Sequence, residues 1–160
     1  GEAPSAMAQR LALAKARAVA RRYGDAVVIG SDQVADLHGE AMGKPGTHER
    51  AVAQLRRLSG QRVNFHTALT VLRAERNFEA TLLSSVSVHF RDLSDAEIDF
   101  YLRAEQPYDC AGSAKCETLG IALLRSIDSD DPTALVGLPL IRTCDLLRRA
   151  GIDPLRASTA

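Results

Sequence analysis

The sequence predicts a single α/β domain over residues 1–160, built on a mixed, partly antiparallel sheet flanked by helices. Three observations predict it. Residues 63–72 and 82–90 alternate (Val63, Phe65, Thr67, Leu69, Val71; Leu82, Ser84, Val86, Val88, Phe90) across a polar link, the period of two of an antiparallel pair. Residues 27–29 form a short apolar run closed by Gly30-Ser31-Asp32, the pattern of a buried strand that delivers a carboxylate to its carboxyl end, where open α/β sheets hold ligands. Segments with apolar positions three and four apart separate these strands, so the order reads helix, strand, helix, two or more strands, helix, strand, helix.

Taken in order, Ser5 can cap a first helix whose Met7, Leu11, Ala14 and Ala18 form the inward stripe and whose Arg10, Arg17 and Arg21 face outward. Lys15 lies at the edge of that stripe, and the pattern alone reads it as a solvated lysine. Tyr23-Gly24-Asp25 ends the helix and feeds the strand at Val27. Residues 36–40 read as a hairpin. In Gly43-Lys44-Pro45 the glycine permits close backbone approach, the lysine is a point charge suited to phosphate, and the proline delays the next helix. An acid, Asp32, and a cation, Lys44, therefore flank one connection. Thr47 can cap a structural helix with Val52, Leu55 and Leu58 inward, stopped by Ser59-Gly60. Ser94 and Glu97 form a capping box for a helix that buries Ile98, Tyr101 and Leu102 and ends at Gln106-Pro107. Residues 108–120 form a small-residue loop carrying Lys115 and Glu117, and residues 121–127 return as a strand. After turn-rich residues 128–132, Gly137-Leu138-Pro139 opens a last helix with Ile141, Cys144 and Leu147 inward, closed by Gly151.

Composition excludes several classes. At 46% apolar and 25% charged the chain is ordinary globular protein, and its 20 basic and 20 acidic residues cancel, so no nucleic-acid surface is implied. No apolar run approaches the roughly 18 residues of a membrane span. Cys110, Cys116 and Cys144 are odd in number and lack metal-ligand spacing, which points to free thiols in a reducing cytoplasm. His38, His48, His66 and His89 read as loop or half-exposed strand residues without a role.

The motifs SDQV (31–34), GEAMGKP (39–45), Lys15 within LALAKARAVA, YDCAGSAKCETLGIALL (108–124) and DDPTALVGLPL (130–140) occur in one order and spacing. Together they resemble the Maf family of nucleotide pyrophosphatases, and within it the branch that hydrolyses 7-methyl-GTP, over about residues 1–152. The resemblance implies a Maf/ITPase-like fold and a cytoplasmic hydrolase cutting a nucleoside triphosphate between its α and β phosphates with Mg²⁺ or Mn²⁺. It implies neither nucleic acid nor membrane as partner, and is compatible with a homodimer. By matching motifs it makes Asp32 the general base and metal ligand, gives Lys15, Lys44 and Lys115 to the phosphates, and gives base choice to Gln33 and Glu117. Gln33 replaces the threonine of the branch acting on dTTP and UTP, and the Glu117 carboxylate suits the donors of guanine and the positive ring of its 7-methyl form.

Two departures set further expectations. Ser113-Ala114-Lys115 stands where the branch usually reads Ser-Phe-Lys. The chain begins at Gly1 without the strand and SxSxRR-like loop that open family members, so it is expected to lack an N-terminal segment and, with it, phosphate-binding arginines needed for turnover. A nucleotide-binding regulator of septum formation without catalysis, and a dTTP/UTP pyrophosphatase, are the competing readings.

Overall fold

Residues 1–156 are described by a computed structural model. Alternation in its two longest strands sets the core: β3 (Arg62–Arg73) and β4 (Phe78–Phe90) pair antiparallel from Arg62↔His89 to Arg73↔Phe78. Their one face turns Val63, Phe65, Val86, Val88 and Phe90 into a cluster with Leu55, Leu58, Ile98 and Leu102. Those partners come from α2 (His48–Leu58), capped by Thr47 Oγ1 accepting from the Arg50 amide, and α3 (Asp95–Glu105), which carries the Ser94–Glu97 capping box. On the far side of β3 runs β1 (Val27–Leu37), onto whose end β2 (Glu40–Met42) folds back. His38 and Gly39 both take positive φ in that turn (55° and 89°), as a tight hairpin requires. With β5 (Leu124–Asp128) beyond β4, the order is β2-β1-β3-β4-β5. The α/β class and the helix-flanked single sheet are as the sequence predicts, and the partly antiparallel sheet is antiparallel in all its described pairings.

Among the described residues the second face is covered by α1 (Pro4–Ala20) alone, through small side chains. Ala8, Ala12 and Ala16 are fully buried, whereas Ala14 and Ala18 are exposed and Met7 and Leu11 only half-buried. The inward stripe is therefore the alanines and not the larger residues that the spacing favours. The reason is distance: a Cβ on Gly30 would stand 2.5 Å from Ala12 O and 2.7 Å from Ala16 N. Helix and strand backbones pack in direct contact there, which only glycine facing alanine allows. The helix starts at Pro4 with Ala3 as its N-cap, so Ser5 lies inside it.

α4 (Leu140–Arg149) packs Thr143 and Leu146 inward, with Leu146 and Ala150 against Leu69 and Val71, while Ile141 is 58% exposed. Its rotation is fixed by polar groups that periodicity does not see. Asp131 Oδ2 accepts from the Ile141 amide (2.9 Å), and Thr143 Oγ1 donates to Pro139 O (2.8 Å). The strand expected from residue 121 begins at Leu124, because Leu119–Leu123 form a 3₁₀ turn. Among the described residues no helix is long and apolar enough to cross a membrane.

Candidate active site

Asp32 is not at a strand end. β1 stays paired with β3 from Val27↔Arg73 to Asp36↔Asn64, so Asp32 sits in mid-strand opposite Ala68. Gly30 and Ser31 continue the ladder, since the glycine serves the approach of α1 and makes no turn. Neighbouring side chains in a strand point to opposite faces. Asp32 therefore lies on the α1 face and Gln33 on the other. Because β2 pairs only with Ala35–Leu37, the outer edge of β1 alongside both residues is unpaired within the described sheet.

On the α1 face, the close packing of Gly30 on the alanine stripe brings Lys15 onto the acid: Lys15 Nζ donates to Asp32 Oδ1 (2.5 Å) and to Ser31 O (3.1 Å). Asp32 is the more buried partner, with its side chain 16% exposed against 58% for Lys15. Asp32 Oδ2 has no hydrogen-bond partner among the described residues. The acid and the lysine 17 positions apart thus form one unit with a free carboxylate oxygen.

On the opposite face, Gln33 Nε2 donates to Thr67 Oγ1 (2.8 Å) and Leu135 O (3.1 Å), and Thr67 Oγ1 donates to Ala134 O (3.0 Å). Ser31 Oγ donates to Gly137 O (2.8 Å). These bonds strap residues 134–137 onto β1 and β3. The strap is anchored at its start by Asp131, which is fully buried and takes the Thr133 hydroxyl (2.5 Å) and amide (2.9 Å) on Oδ1. Burial pushes the Asp131 carboxyl up, but the bonds from Thr133 and the Ile141 amide outweigh it and hold the group below the usual range.

Leu135 and Val136 of the strap, with Ile121 and Ile127, wall an apolar cleft of about 380 Å³. Glu117, exposed, stands at its rim beside Cys116. Burial, then the Glu117 carboxylate, holds the Cys116 thiol above its usual range. A narrow gap shared by Gln33, Ala114, Cys116 and Leu135 joins this region to β1.

The other two lysines sit on loops. If the β1–β2 ladder, which ends at Ala35↔Met42, is continued in register, Lys44 comes opposite Gln33 along the open edge. Lys115 follows Gly112 and Ser113, consecutive residues with positive φ (66° and 55°). A Cβ on Gly112 would touch Ala35 and Phe65 at 3.3 Å, so this loop lies against the sheet beside β1. Tyr101, only 2% exposed, donates its hydroxyl to Ser113 O (3.1 Å) and accepts from the Lys115 amide (3.0 Å), and burial pushes its phenol up. Neither Lys44 nor Lys115 makes an ion pair among the described residues.

The structure thus joins Lys15 to Asp32 directly, separates Asp32 from Gln33 by the thickness of the sheet, and puts Glu117 on a cleft that reaches Gln33 through Cys116 and Leu135. Sequence reasoning missed the polar supports of these loops, Tyr101, Asp131, Thr67 and Gln54. The available signal was a polar residue inside an apolar stripe, as Gln54 is between Ala51 and Leu55.

A divalent cation can be tested against these groups. Among the described residues no three His, Cys, Asp or Glu side chains converge, so a cage made by protein alone is absent there. The free Oδ2 of Asp32 does fit the magnesium habit of using one or two carboxylates and completing the shell with substrate phosphates and water.

Comparison with known proteins adds the family. Residues 1–150 match the family model described as Maf-like protein. A protein from Polaromonas sp. named 7-methyl-GTP pyrophosphatase is 68% identical over 152 residues, covering 95% of this chain and 69% of the relative. Proteins of the same name from Albidiferax ferrireducens and Bordetella avium are 62% and 57% identical, each over 157 residues covering 98% of this chain and 79% of the relative.

Proposed function

The chain belongs to the Maf-like family, and from that membership we propose that it is a nucleoside triphosphate pyrophosphatase acting on 7-methyl-GTP, which it hydrolyses to the monophosphate and pyrophosphate. The observation that carries the reading is the Lys15–Asp32 unit at the open edge of β1, in a chain 68% identical to a relative of that name.

The reaction needs a water in line with the α-phosphorus, a group to take its proton, and positive charge over the phosphate oxygens. Lys15 holds Oδ1 of Asp32, which fixes the carboxylate and leaves Oδ2 to accept the proton of the attacking water. The new bond forms from the water oxygen to the α-phosphorus, its proton passing to Oδ2, as the bond from the α-phosphorus to the bridging oxygen breaks and pyrophosphate leaves with the electron pair. Lys44 and Lys115, exposed or half-exposed and without ion pairs among the described residues, lend their charge to the phosphates. A divalent cation, held by Asp32 together with the phosphates, would supply Lewis acidity and a more acidic water.

Lys44→Ala and Lys115→Ala are each expected to lower kcat/KM by about tenfold or more, by a similar factor for 7-methyl-GTP, dTTP and UTP, since a phosphate contact is blind to the base. Steady-state pyrophosphate release on the three nucleotides checks this. A loss confined to one nucleotide would move that lysine to the base.

The specificity reading rests on Glu117 at the rim of the apolar cleft. Its carboxylate accepts from the guanine edge and attracts the methylated ring, so Glu117→Gln should cost 7-methyl-GTP about tenfold or more while changing dTTP and UTP by less than about twofold. The experiment is kcat/KM for parent and variant of the full-length protein on all three. Equal losses on purine and pyrimidines would assign Glu117 to the phosphates or cation.

A further inference from the structure

Two lysine-bearing loops that are distant in sequence meet at one side chain. Gln54, half-buried on α2, donates from Nε2 to Gly43 O (2.8 Å) and accepts on Oε1 from Ser113 Oγ (2.5 Å). A carbonyl can only accept, so Gly43 fixes which end of the amide faces it, and Ser113 must then donate to the other end. Gly43 immediately precedes Lys44, and Ser113 stands two residues before Lys115. A second bond between the loops, from the Gly46 amide to Tyr108 O (2.9 Å), limits their sliding. From Ser113 the connection continues through the buried Tyr101 hydroxyl to the Lys115 amide.

We propose that Gln54 is a positioning residue that sets Lys44 and Lys115 relative to each other, so that the two ammonium groups grip one polyphosphate together. The proposal rests on the reading that these lysines hold phosphate. Its physical basis is preorganisation: two loops that drift independently must be ordered when the anion binds, and that cost is removed when a shared amide has already ordered them. No other side chain makes a direct hydrogen bond to both loops among the described residues. Its neighbours on α2, Ala51 and Leu55, are fully buried core residues and do not replace it.

The test is Gln54→Met, which keeps length and loses both bonds, read by titration of the full-length protein with inorganic triphosphate and, separately, by pyrophosphate release from 7-methyl-GTP, dTTP and UTP. Triphosphate affinity is expected to fall about tenfold, the scale of one or two hydrogen bonds lost. With substrates the loss should fall mainly in KM and equally for the three bases. Ser113→Ala, which removes one of the two bonds, should move the same way by less. The deciding comparison is the Lys44→Ala/Lys115→Ala background, in which Gln54→Met should change triphosphate affinity by less than about twofold. The same tenfold loss in that background would mean a general structural role and overturn the proposal, as would an unchanged affinity in the parent background. A parent that binds no triphosphate also overturns it. A parent that binds triphosphate yet releases no pyrophosphate would sink the proposed activity and leave the positioning of the lysines decided by the titration.

Discussion

Asp32→Asn is expected to abolish turnover while leaving the fold intact, the largest catalytic effect the site predicts. The amide keeps the shape of the carboxylate and an oxygen for Lys15, but it puts a donor with no proton affinity where Oδ2 stood free. Pyrophosphate release from 7-methyl-GTP should fall by about 10²-fold or more, the usual contribution of a positioned general base. Thermal melting should stay close to the parent value, because Asp32 contributes to the core only through an ion pair with a largely exposed lysine, an interaction of small net worth. A variant that retains more than about a tenth of the parent rate is incompatible with Asp32 as the base.

Gly30→Ala carries the largest structural effect. The added methyl would meet Ala12 O at 2.5 Å, Ala16 N at 2.7 Å and Ala16 Cβ at 2.9 Å, and two of the three are backbone atoms that no rotamer change can move aside. Overpacking of this kind costs about 1–3 kcal/mol, a fall in Tm of roughly 2–12 °C for a chain of this size. The helix must lift, and Lys15 lifts with it, so activity should drop beyond what unfolding explains at temperatures well below the new Tm. Gly24→Ala is the control, because nothing lies within 4 Å of its added carbon. If both variants melt and turn over like the parent, direct backbone packing is not what holds Lys15 on Asp32.

The contrast between these two positions indicates what was legible in the sequence. Local rules succeeded where local chemistry decides: the Ser94–Glu97 capping box, the Thr47 cap, the hairpin at His38-Gly39 and the alternation of β3 and β4 are all present. They failed where a distance between elements decides. Spacing favours Met7 and Leu11 over Ala8, Ala12 and Ala16 because it weighs the area a side chain can bury, whereas the helix is drawn to the stripe that lets backbones touch. The helical pattern also favours Ile141 over Thr143, because it cannot register a cap supplied by Asp131. The same limit applies to the site. Motif matching singles out Asp32 and the lysines as candidates, but the run of Gly30-Ser31-Asp32 suggests a strand end, and only pairing with a strand some forty residues away shows that β1 continues to Leu37. Gln54 stands out in sequence only as a polar residue within an apolar stripe, and its partners could not be read there because both belong to other segments of the chain.

The sheet does not hold all parts of this site with equal permanence. Asp32 belongs to a strand paired over ten positions with β3, the central strand of the described sheet, and segments anchored in this way are expected to open late. Lys44 hangs from a strand of 3 residues at one edge, and Lys115 and Glu117 precede a strand of 5 residues at the other. Short edge strands of this kind are expected to open first in native-state fluctuations, at a fraction of the global free energy. Asp32, the proposed base, is thus expected to be the fixed point against which a rim tied together through Gln54 opens and closes as one unit.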